Sequence, residues 1–170
     1  MPNDHVERLR AQWARELPDL DTSPMAILGR AYRLSNLVRP SIEASFAAFD
    51  LDRGEFDVVS TLRRAGPPYT LTPTELYRSL MITSGGLTHR LLRLEKAGLI
   101  RREKAEKDGR SVLVALTEAG RERVEEALRA DMANERHFIE ALPPHKQAAL
   151  ASLLKELLIS IEAAPLDDTT

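Results

Sequence analysis

The chain has 170 residues, is 43% hydrophobic but only 5% aromatic, and carries a formal net charge of −2. That allows one domain, or two closely packed lobes, around an aliphatic, alanine-rich core, and it excludes a general polycation. Cysteine is absent, which removes disulfides, thiol redox sensing and cysteine metal sites, and no apolar run reaches the ~18 residues needed to span a bilayer. The opening residues lack a basic segment followed by an apolar one, so a cytoplasmic protein without a cofactor or membrane partner is expected.

Residues 1–18 read as a short amphipathic helix, with Val6, Leu9, Trp13 and Leu17 at helical spacing and Pro18 ending it. So short a helix is not stable alone, and Trp13 needs a partner surface. A long helix is expected over 25–49, with Ile27, Leu28, Ala31, Leu34, Leu37 and Val38 on its apolar face. Pro40 falls inside this pattern and predicts a kink or short break near 37–41. A third helix spans 55–65 with Phe56, Val59 and Leu62 inward, and Gly66-Pro67-Pro68 stops it.

Residues 72–117 are the most informative. Thr72-Pro73-Thr74-Glu75 is a capping box that opens a fourth helix. A fifth starts near Thr83 or Ser84 and ends at Gly98, a residue suited to a left-handed C-terminus. Two β-rich runs, 99–103 and 111–116, flank Asp108-Gly109, a strong hairpin signal. Thr117 then caps a helix to about 137, and Pro143-Pro144 opens a last one with Leu150, Leu153, Leu154, Leu157, Leu158 and Ile161 in a wide apolar stripe. Helix, turn, helix and hairpin in this order make a winged helix-turn-helix. The expected fold is mainly α, with a two-stranded β-wing and N- and C-terminal dimerisation helices. The expected division is 1–50 for the extra helix and first dimerisation helix, 51–117 for the DNA-binding lobe, 118–163 for the C-terminal dimerisation helices, and 164–170 for a frayed tail. The outer helices are apolar over more surface than the small winged module covers, which points to a homodimer. A two-fold dimer sets its reading helices one DNA turn apart, ~34–36 Å, and so fits a pseudo-palindromic operator in double-stranded DNA.

Charge agrees with that use. Residues 88–110 hold eight Lys/Arg and four Asp/Glu, a basic module on an acidic body. Projected at 100° per residue, Leu87, Leu91 and Leu94 face inward, with Gly85, His89, Arg93 and Lys96 opposite. Thr83, Ser84, Gly86, Thr88, His89, Arg93 and Lys96 are therefore candidates for DNA contact. Arg93 either bridges a guanine or holds a phosphate, and Leu92 either meets a thymine methyl or lies free on the surface. At the wing, Arg110 suits a narrow minor groove with Asp108 orienting it, or else is a solvated hairpin residue. Lys104, Lys107, Arg101 and Arg102 would add phosphate contacts.

These residues resemble the MarR family of bacterial transcription regulators over 24–158. The likeness rests on Leu71-Thr72-Pro73-Thr74-Glu75-Leu76, on Arg90-Leu91-Leu92-Arg93-Leu94-Glu95-Lys96-Ala97-Gly98-Leu99-Ile100, and on Asp108-Gly109-Arg110 followed by a β-run ending in Leu116-Thr117. It implies a homodimer joined through its first and last helices. It also implies repression of the protein's own promoter, released by a small aromatic anion. The chain is further similar to the urate-responsive branch, which adds an N-terminal helix bearing a tryptophan. That likeness implies a ligand site from Trp13, Asp57 and Arg90, for an aromatic anion or a purine. The chain departs from the branch at Ala65, where a polar residue is usual.

Two other readings stand beside this one. A winged helix can serve as a protein-interaction module without DNA binding, and a repressor can act without a ligand. Catalysis finds no foothold: His5, His89, His137 and His145 are scattered over different elements, and no nucleophile elbow or phosphate loop is present.

Overall fold

The computed structural model describes residues 3–81, 86–104 and 112–163, with only the backbone of Lys104. Thr83, Ser84, Lys107, Asp108, Arg110 and the expected tail lie outside these residues. Two compact units divide the chain, Met1–Asp131 and Met132–Thr170. The first runs α1 (His5–Glu16), a π-helical turn (Met25–Gly29), α2 (Arg30–Ala47), α3 (Arg53–Arg64), β1 (Thr70–Leu71), α4 (Pro73–Ser79), α5 (Leu87–Lys96), β2 (Ile100–Lys104), β3 (Val112–Leu116) and most of α6 (Glu118–Ile139). The second holds the end of α6 and α7 (Pro144–Ala163). At the corner between those two helices the Gln147 amide donates to the Ile139 and Leu142 carbonyls at 3.1 and 2.8 Å.

A buried apolar contact and a cluster of ion pairs together hold α1 in place. Val6 is its one buried residue, and it packs beside Gly29. The Arg30 guanidinium reaches Asp4 at 2.7 Å and Glu7 at 3.0 Å, while Asp4 caps α1 by accepting the Glu7 N–H at 2.8 Å. The hydrogen bond from Arg30 holds the Asp4 carboxyl below its ordinary value. Trp13 stays 44% exposed.

Of the kink or short break expected near 37–41, the break does not occur. α2 runs unbroken through Pro40, and the irregular winding lies at Met25–Gly29 instead. Pro40 withholds one N–H from the Asn36 carbonyl, but that stretch is exposed and water can take its place.

The core lies between α3, α5 and the sheet. Val58, Val59 and Leu62 of α3 meet Leu76, Leu91, Leu94, Ile100 and Val114, with Leu87 partly buried at the edge. Phe46 of α2 stacks on Phe56 of α3 with centroids 4.0 Å apart. Leu91 and Leu94 face inward as the helical projection requires. The hairpin of β2 and β3 is two-stranded as expected, and β1 pairs with β3 to add a third strand to the sheet, in the order β1-β3-β2. Two strands formed the readable hairpin, and Thr70–Leu71 is too short to show a pattern of its own. The capping box of α4 is present, with Thr72 Oγ1 accepting the Glu75 N–H at 3.2 Å and Glu75 Oε2 accepting the Thr72 N–H at 2.8 Å. Thr117 Oγ1 donates to the Gly98 carbonyl at 2.7 Å and accepts the Gly120 N–H at 3.0 Å, which fixes the start of α6 against the wing root.

Two substitutions test these anchors. Arg30→Ala should release α1, read as faster amide exchange confined to residues 5–16. Acid should do the same: a carboxyl depressed by folding stabilises fully above its ordinary value of 3.8 and loses that contribution as pH falls through the lower folded value. Gly120→Ala should cost about 1–3 kcal/mol in thermal unfolding, because a Cβ there would lie 2.0 Å from the Leu99 carbonyl oxygen, a backbone atom with nowhere to move.

Candidate nucleic-acid interface

α5 is the element on which the candidate residues converge. It starts at Gly86, whose φ of 81° is left-handed and suits a residue without Cβ, and a side chain there would meet open space. Thr88 and His89 follow on the exposed side, and Leu92 is also exposed. At the other end Gly98 takes a φ of 73°, and the Leu99 N–H returns to the Leu94 carbonyl at 3.0 Å, which ends the helix.

Arg93 departs from the expected outward contact. Its Nε lies 3.0 Å from Glu55 Oε1 and its Nη1 3.3 Å from Asp52 Oδ2, so it leans on the first turn of α3. The reason is reach. A long side chain can reach back to a buried carboxylate even when its Cα lies away from the apolar stripe. Lys96 lies on this side too. It joins Arg93 across an open recess of about 400 Å³ from Asp50 and Glu55. The wing strand is similarly engaged, with Arg101 paired to Glu103 and Arg102 3.3 Å from Glu95.

Arg90 sits one turn before Arg93. Its guanidinium lies directly over Gly54, where an added Cβ would fall 2.2 Å from Nε and 2.4 Å from Cζ. Among the described residues its Nη1 is buried and has no hydrogen-bond partner. Asp57 lies one turn further along the same helix α3 and is buried. The fold thus brings Arg90 against the helix that carries Asp57. Trp13 stands half-exposed on α1, which packs on the turn at Met25–Gly29.

From sequence, Asp52-Arg53-Gly54 closes the long helix and opens the next with Glu55, with no role at the site given to any of them. The signal was present as Asp52-x-x-Glu55 ahead of an apolar run, the same capping pattern as Thr72-x-x-Glu75. In the structure Asp52 and Glu55 form a full capping box at the start of α3.

Residues 49–111 match the MarR family. The chain is 38% identical over 149 residues to the HTH-type transcriptional regulator PecS of Dickeya dadantii (strain 3937), covering 88% of this chain and 90% of that one. The chain belongs to the MarR family. Among solved structures it is similar to a mutant MarR from E. coli, with a TM-score of 0.64 at 28% identity over 77% of this chain and 96% of that one. A MarR family regulator from Streptomyces coelicolor solved in complex with DNA shares the fold, with a TM-score of 0.72 at 23% identity over 88% and 95% of the two chains. This MarR-family protein is a DNA-binding transcriptional regulator, and regulators of the family bind DNA as dimers. Among its described residues no helix is long and apolar enough to cross a membrane.

Gly54→Ala tests the seat of Arg90. The α3 helix should not weaken, since alanine is the better helix former. Displacing the guanidinium should nonetheless lower DNA affinity roughly 5- to 30-fold, the equivalent of one or two kcal/mol, read by fluorescence anisotropy.

Proposed function

We propose that the protein is a homodimeric repressor that holds a pseudo-palindromic operator through α5 and the wing and lets go when a small aromatic or purine-like anion binds. In this reading residues 51–117 are the DNA-binding lobe. Residues 1–50 and 118–163 supply the extra helix and the dimerisation helices. The exposed apolar side chains of Ile27 in the π-helical turn and of Leu34 and Leu37 in α2 favour self-association, as do Leu153, Leu154 and Leu158 of α7. Thr83, Ser84, Gly86, Thr88 and His89 face the operator, and Lys104, Lys107, Asp108 and Arg110 serve the wing. The protein acts by binding, without catalysis, in the cytoplasm.

The observation that carries the ligand half is the orphaned Arg90 Nη1. A buried guanidinium nitrogen without a partner is costly, and an anion would satisfy it. Arg90 is also an α5 residue, so an anion that draws on it acts on the reading helix itself. Asp57 lies on the helix beneath, and Trp13 keeps an accessible ring face on which a planar ligand can stack. Ligand and operator must then weaken each other by the same factor.

The test is operator binding by the full chain to a duplex of its own promoter region, titrated with aromatic acids and purines. Affinity should fall steeply with salt, and at least one compound should release the duplex. No binding even at low salt would favour a protein-interaction module. Trp13→Ala should keep operator affinity and lose the response to that compound; a retained response would reassign Trp13 to packing.

A further inference from the structure

Arg93 lies on the reading helix with its side chain half-exposed, yet its guanidinium is paired to two carboxylates of the protein itself. Nε meets Glu55 Oε1 at 3.0 Å and Nη1 meets Asp52 Oδ2 at 3.3 Å. Each carboxylate is also held on its other oxygen. Glu55 Oε2 accepts the Asp52 N–H at 2.9 Å, and Asp52 Oδ1 accepts the Glu55 N–H at 2.8 Å. The helix cap of α3 and the ion pair to α5 are therefore one connected unit.

Burial decides what Arg93 can do. The Glu55 side chain is only 4% exposed. A carboxylate withdrawn that far from water needs its counter-charge, and drawing Arg93 away to a DNA phosphate would strand it.

We infer that Arg93 is a positioning residue that locks α5 to the first turn of α3 and does not neutralise a DNA phosphate. The inference rests on operator binding through α5. Asp52 and Glu55 then belong to the reading head without touching DNA. The lock orients the end of α5 that bears Thr88 and His89, so it governs the choice of sequence more than the general attraction to DNA.

The test compares affinity for the promoter duplex and for an unrelated duplex, across salt, in the full chain. The variants are Arg93→Gln, Glu55→Gln and Asp52→Asn, each first checked by thermal unfolding. Asp52→Asn keeps a good helix cap while removing a charge, so it decides the matter if Glu55→Gln does not fold. All three should weaken promoter binding roughly 5- to 30-fold. Affinity for the unrelated duplex should hold or rise slightly in the two carboxylate variants, and the salt slope should be unchanged in Arg93→Gln. Arg93→Gln combined with Asp52→Asn should be no worse than the weaker single variant. The inference is overturned if Arg93→Gln lowers the salt slope by about 0.9 and weakens both duplexes alike, as loss of a phosphate contact requires. It is equally overturned if the carboxylate variants bind the promoter as well as, or better than, wild type. A wild-type chain that binds neither duplex would instead remove the operator reading on which the inference rests.

Discussion

A reading helix of ten residues cannot hold itself together in water, because its nucleation cost exceeds what so few backbone bonds return. α5 is therefore only as well placed as its contact with α3. Leu91 and Leu94 set its depth by packing on the core, but apolar contact is tolerant of sliding. Direction comes from two arginines one turn apart. Arg90 lies over Gly54 and Arg93 on Asp52 and Glu55, so both meet the first turn of α3. The capping box that starts α3 thus does double duty, beginning one helix cleanly and registering another against it.

This arrangement changes how the charge of the chain is to be counted. Residues 88–110 are rich in Lys and Arg, but Arg93, Arg101 and Arg102 all have carboxylate partners within the protein. The exposed pairs of Arg101 and Arg102 contribute little to stability. The larger effect of the three arginine pairings is to lower the field that DNA meets along the middle of α5 and the wing strand. Attraction to the duplex is left to the remaining basic residues.

Legibility from sequence followed the range of each interaction. The box at Thr72 and Glu75, the left-handed Gly98 and the cap at Thr117 all depend on residues within a few positions of one another, and each is found as the sequence suggests. The inward set Leu91 and Leu94 follows from period alone. What escaped was set by distant partners. Arg93 turns toward residues about forty positions earlier in the chain, and a helical projection gives a direction at Cα without the reach of a long side chain. The continuous α2 through Pro40 depends on solvent being available to one carbonyl. A link between Asp57 and Arg90 is suggested only by family likeness, since nothing local joins a position on α3 to one on α5.

The strand that sequence did not reveal has a mechanical consequence. β1 pairs Thr70 with Ala115 and Leu71 with Val114, and the next residue, Thr72, caps α4. The root of the hairpin is thereby stitched to the entrance of the helix-turn-helix, and it cannot swing without dragging α4 along. A stiff chassis of this kind has little freedom to follow grooves of different width. Misfit must then be absorbed by the duplex, so that preference among operators is written partly in how readily their base steps bend.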